Sequence, residues 1–132
     1  MIKKSWFLRE LPNKFEQVKY GLEQVYSSSE VNYKIVTFAP LTSGVAENVL
    51  ISEGNSGIGT PIPLSNDEMF KILENNEFER NSYFVWEFLV NGERLRVVPN
   101  DNCQTIFVAS ICFNTEIQAQ QFDDSALQEY MV

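Results

Sequence analysis

One segment, residues 83–98, restricts the possible folds of this chain more than any other. Residues 83–90 are a dense run of β-forming side chains, and residues 93–98 return from Asn91-Gly92. That pair is favoured in a type I′ turn because both central residues need positive φ. A two-residue loop fixes the register: Val90 faces Glu93, Leu89 faces Arg94, Phe88 faces Leu95, Glu87 faces Arg96 and Trp86 faces Val97. One face then holds Phe84, Trp86, Phe88, Val90, Leu95 and Val97, and is expected to be core. The other sets Glu87 against Arg96, an opposite-charge pair worth about 0.2–1 kcal/mol. Sliding the strands by one residue would bury the charges, so the register is well specified.

The other elements follow from shorter-range signals. Pro12 and Asn13 look like a helix start, and Phe15, Val18, Leu22, Val25 and Tyr26 recur at helical spacing. This predicts an amphipathic helix over 13–27 with Gly21 as its weak point. Residues 32–38 alternate and read as a strand ended by Pro40; residues 42–44 turn the chain, and 48–52 make a short strand. The glycine-rich stretch 54–61 reads as a loop. Ser65 opens a second helix through a capping box with Glu68, with Met69, Ile72 and Leu73 on its buried face. After the turn at 100–102, residues 105–113 are apolar on both faces and so belong inside a sheet. Residues 115–131 read as helix, with a break near Asp123-Asp124, either of which can cap a segment from Ser125. The expected fold is one α+β domain over 1–132 in the order α-β-β-α-β-β-β-α. Its mostly antiparallel sheet would have about five strands, with helices packed on one face.

Composition excludes several chemistries. With 132 residues and 44% hydrophobic content the chain can fill an ordinary core. No stretch of about 18 apolar residues spans a membrane, and Trp6-Phe7-Leu8 is too short for a signal peptide. There is no histidine, which removes Ser-His-Asp and Cys-His catalysis and the usual zinc sites. Cys103 and Cys112 lie at opposite ends of one expected strand, too far apart to bridge, and free thiols fit the cytoplasm. Gly54-Asn55-Ser56-Gly57 lacks the second glycine of a nucleophile elbow, and no lysine follows Gly59 as a P-loop requires. Glu87, read as the only acid in a strand interior, already has Arg96 opposite it. No enzyme activity, cofactor or metal is expected.

The charge is uneven. Residues 1–46 carry six Lys/Arg and four acids; residues 47–132 carry four Lys/Arg and fourteen acids, within a net charge of −8. Such a surface repels nucleic-acid phosphates and anionic lipid, and attracts a basic protein. The candidate partner-binding acids are Asp67, Glu68, Glu74, Glu77 and Glu79 on the second helix and its exit. Glu116, Asp123, Asp124 and Glu129 in the C-terminal segment extend the set. Trp6 and Phe7, set among Lys3, Lys4 and Arg9, could anchor a partner or a dimer mate. By class of composition alone, with no shared motif, the chain resembles immunity proteins, secretion chaperones and phage-encoded inhibitors. The leading expectation is an acidic, non-catalytic binding or inhibitor protein that occludes a basic site on its partner. A small-molecule or enzymatic domain with a pocket between sheet and helices, and a structural subunit of a phage or other assembly, are the alternatives.

Overall fold

The computed structural model describes residues 2–41, 44–54, 57–58, 61–100 and 103–132, with only the main chain described at 53, 54, 57, 58, 103 and 104. The chain begins with β1 (Ile2–Leu8), β2 (Glu16–Ser27), β3 (Tyr33–Pro40) and β4 (Glu47–Gly54). Two short strands follow, β5 (Gly57–Ile58) and β6 (Ile62–Pro63), and then helix α1 (Asn66–Asn75). The second half holds β7 (Glu79–Val90), β8 (Glu93–Asn100), β9 (Cys103–Phe113), helix α2 (Glu116–Gln121) and a 3-10 turn at Ser125–Tyr130.

The expected five-stranded α+β arrangement in the order α-β-β-α-β-β-β-α is therefore wrong. The chain is mostly antiparallel sheet, with nine strands among the described residues and only short helices. The error begins at residues 13–27, where the structure has β2 instead of a helix. Gly21 and Glu23 are buried on one face of β2, and Tyr20, Leu22, Gln24 and Tyr26 are half-buried on the other. With both faces partly covered, polar and apolar residues do not alternate cleanly, and an accidental helical spacing of apolar side chains dominates the pattern. The β-formers Val18, Tyr20, Val25 and Tyr26 fit the pleated conformation better. The second difference is β1, which the sequence pattern does not announce because Lys3 and Lys4 interrupt its apolar residues.

The chain forms two compact units, one of Met1–Tyr20 with Phe84–Val132, the other of Gly21–Tyr83. In the first, the strand order is β1-β9-β8-β7, with the opening residues of β2 beside β7. The 83–98 hairpin has the register read from its turn, with Asn91 at φ 52° and Gly92 at φ 81°. β9 pairs with β8 on one side and β1 on the other, so it is internal as expected. Phe88, Val90, Leu95 and Val97 are buried in the core with Leu8, Ile111 and Phe113. Trp86 is only half-buried, however, and Phe84 is 44% exposed, so the core face ends before the start of the hairpin. Ala119 of α2, with Leu127 and Tyr130 of the 3-10 turn, completes this core. The tail breaks where expected, but its second segment is 3-10, the geometry used for short helical pieces.

In the second unit the order is β7-β2-β3-β4, antiparallel between β2 and β3 and between β3 and β4. A Cβ at Gly21 would lie 2.4 Å from Phe38 Cζ and 2.5 Å from the Ala39 carbonyl oxygen, so only glycine fits beneath the Phe38 ring. β5 and β6 fold back onto β4 within and just after the segment read as a loop; positions 55, 56, 59 and 60 lie outside the described residues, as do 42, 43, 101 and 102 of the expected turns. Helix α1 starts as read: Ser65 Oγ accepts from Glu68 N–H at 3.1 Å, and Glu68 Oε1 accepts from Ser65 N–H at 3.0 Å. Met69 is its buried residue. Among the described residues no helix is long and apolar enough to cross a membrane.

Candidate functional site

The candidate acids of the second unit separate into two sets at opposite ends of α1. Asp67 and Glu68 occupy its first turn, where the positive end of the helix dipole favours carboxylates. Glu68 is also part of the capping box, and the Ser65 N–H, followed by the Ser65 hydroxyl, holds its pKa below the usual carboxylate value. These two acids are thus explained by the helix itself. Glu74 lies in the last turn, about 10 Å away along the axis at 1.5 Å per residue. No basic residue stands in that turn to offset the negative end of the dipole.

Just beyond it the chain builds a groove. Ser27, Ser28, Ser29 and Glu30 leave β2, while Glu77, Phe78 and Glu79 lead from α1 into β7, and together they line an open depression of about 590 Å³. The Glu77 N–H donates to Glu30 Oε2 at 3.3 Å, the Glu30 N–H donates to Ser28 Oγ at 3.1 Å, and the Phe78 and Tyr33 ring centroids are 6.4 Å apart. Glu30, Glu77 and Glu79 are exposed, and none of the lining residues is cationic. Among the described residues no three His, Cys, Asp or Glu side chains are placed to hold a metal ion, so these carboxylates do not converge on a single point. An extended cationic group is a better match for their spread, with the Phe78 ring available to an ammonium or guanidinium.

The candidates of the first unit are tied into the fold. Trp6 is 9% exposed and its Nε1–H donates to Asp124 Oδ2 at 2.9 Å. Asp123 Oδ1 accepts from the Ser125 N–H at 3.0 Å, which lowers its pKa, and the Asp123 carbonyl accepts from Asn91 Nδ2 at 2.8 Å. Glu129 pairs with Lys14 Nζ at 3.1 Å, and that contact is the main reason its pKa is lowered. Glu116 is exposed in the first turn of α2, which Thr115 caps. Phe7 alone of the aromatic pair is open to solvent, at 57%.

Two residues escaped the sequence reading. Glu30 has no role in the sequence pattern, since nothing local signals that it meets Glu77. The helical spacing of residues 13–27 puts Glu23 on a helix, which leaves Glu87 as the sole acid expected inside a strand. The structure has Glu23 within β2, 8% exposed, with Tyr83 Oη–H donating to its Oε2 at 2.7 Å. Glu87 itself meets Arg94 at 3.4 Å and Lys19 at 3.5 Å in addition to facing Arg96 in the register. No family model matches the chain, and neither the curated proteins nor the solved structures give a match.

Proposed function

We propose that this is a non-catalytic, cytoplasmic binding protein whose acidic groove at the C-terminal end of α1 takes a basic segment of a partner protein and occludes it. The observation that carries this reading is the gathering of Glu30, Glu77 and Glu79 around one open depression with no cation in its lining. Glu74 and the helix dipole add negative potential at the same end of α1. Clustered carboxylates speed association with a basic surface and select against acidic ones. Phe78, half-buried against Tyr33, offers an aromatic anchor at low entropic cost. The same charge disfavours nucleic acid as a ligand.

The test is affinity purification from the native source with a salt titration of what co-elutes, run beside the triple variant Glu30→Gln, Glu77→Gln, Glu79→Gln. A basic protein that is released as salt rises, and that the triple variant fails to retain, supports the reading. Recovery of a metabolite alone, or a partner held equally by the triple variant, overturns it. Asp67→Asn serves as the control, since Asp67 stands at the far end of the helix.

A further inference from the structure

The first unit ends in an edge strand that is half covered. β1 pairs with β9 along its whole length, Ile2↔Phe113 to Leu8↔Phe107. On its other side the C-terminal residues run antiparallel to it for one rung only. The Arg9 N–H donates to the Tyr130 carbonyl at 2.8 Å, the Val132 N–H donates to the Phe7 carbonyl at 3.1 Å, and Leu8 bridges Met131. Residues 7 and 9 therefore direct their main-chain groups outward, and 2, 4, 6 and 8 direct theirs toward β9. By the alternation of a regular strand, Lys3 and Ser5 also turn their N–H and C=O outward. Among the described residues nothing pairs with them.

We infer that the open edge of β1 at Lys3–Ser5 is a strand-addition site that takes an extended acidic segment of another protein, antiparallel and continuing the line begun by Met131 and Val132. An unpaired edge is a template for main-chain hydrogen bonding, and alternate side chains set which segment it accepts. Lys3 is exposed and Lys4 half-exposed on the two faces of this edge, so carboxylates at alternating positions of the incoming strand would meet a cation on either face. A second copy of this chain fits poorly. The antiparallel register that pairs Lys3 with Ser5 in both directions sets Lys4 directly against Lys4 of the second copy, and like charges in that position are destabilising.

The probe is a synthetic seven-residue peptide of alternating valine and glutamate, blocked at both ends, titrated into the full chain. Hydrogen exchange read by NMR should slow at the Lys3 and Ser5 amides and stay unchanged at Lys4, which is already bonded to β9. Two perturbations separate the ladder from simple charge attraction. N-methylation of alternate peptide amides should abolish the protection when the methyl groups face β1 and preserve it when they face away. Ser5→Pro, tolerated where an edge N–H points to solvent, should weaken binding by about tenfold, the effect of one ladder bond and its stranded acceptor. Circular dichroism and the thermal midpoint check that Ser5→Pro still folds. A valine–lysine peptide should bind more weakly than the glutamate peptide. Unchanged exchange at Lys3 and Ser5 in saturating peptide overturns the inference. So does binding that is indifferent to the face of N-methylation. Neither result bears on the groove at Glu30, Glu77 and Glu79, which lies in the other unit.

Discussion

Replacing Gly21 by alanine distinguishes the helical reading of residues 13–27 from the observed strand by the sign of the effect. In the interior of an exposed helix, glycine to alanine stabilises by about 0.8–1 kcal/mol. In β2 the added methyl carbon would stand 2.4 Å from Phe38 Cζ, 2.6 Å from Phe38 Cε2 and 2.5 Å from the Ala39 carbonyl oxygen. The ring can retreat only by leaving a site where it is 8% exposed. The carbonyl belongs to β3, which is paired with β2 at Gly21↔Pro40 and Leu22↔Ala39, so it moves only if the ladder opens. Overpacking against such neighbours costs about 1–3 kcal/mol. The stiffer unfolded chain returns about 0.4–1 kcal/mol. The net expectation is a destabilisation of about 1–2 kcal/mol. Urea titration followed by tryptophan fluorescence and by far-ultraviolet circular dichroism measures it, with the two probes checking for a single transition. Adding Phe38→Leu removes the ring but leaves the carbonyl, so the double variant should recover part of the loss, with a coupling of about 0.5 kcal/mol or more. A Gly21→Ala protein at least as stable as the parent would refute the close approach and reinstate a helix.

Ser65→Ala removes the cap of α1 and should cost about 1 kcal/mol in urea denaturation. The other half of the box is the Glu68 carboxylate, which the folded state holds below its ordinary pKa, so its own contribution is present above the unfolded value near 4.5 and fades as pH falls through the folded one. Ser65→Ala keeps the N–H that the Glu68 carboxylate accepts from, so the pH dependence is read in Glu68→Ala: its gap from the parent should shrink below about pH 4.5, and a gap that widens there would contradict the capping box. Trp6→Phe keeps the ring in the core but strands the Asp124 carboxylate, and should cost about 1.5–3 kcal/mol. Asp124→Asn combined with Trp6→Phe should cost less than the sum of the two single changes. Tyr83→Phe deprives the buried Glu23 carboxylate of a 2.7 Å hydrogen bond and should destabilise by about 1–3 kcal/mol at neutral pH. In a Glu23→Ala background, which removes the acceptor, Tyr83→Phe should cost less than in the parent; an equal cost would mean that the phenol acts by packing alone.

What the sequence settled by itself are the features whose cause lies within a few residues. Asn91-Gly92 admits the positive φ of a tight turn, and a two-residue loop leaves one register that keeps Glu87 and Arg96 out of the core. Ser65 and Glu68 are three residues apart, the spacing at which each side chain reaches the other's amide. Residues 105–113 are apolar on both faces, and an internal strand is what such a run can become. The tertiary structure decided the remainder. β1 exists because Ile2 meets Phe113 and Leu8 meets Phe107, partners about a hundred positions away that no local pattern announces. Residues 16–27 are a strand because β3 and Phe38 lie alongside them, although their apolar spacing suits a helix. The acids of α1 form no single patch because a helix ten residues long holds its two ends apart, and Glu30 joins the far end only through the meeting of two turns. Caps and hairpin turns are closed by neighbours along the chain. Sheet order and charge clusters are closed by residues far apart in it, and only the folded chain brings those together.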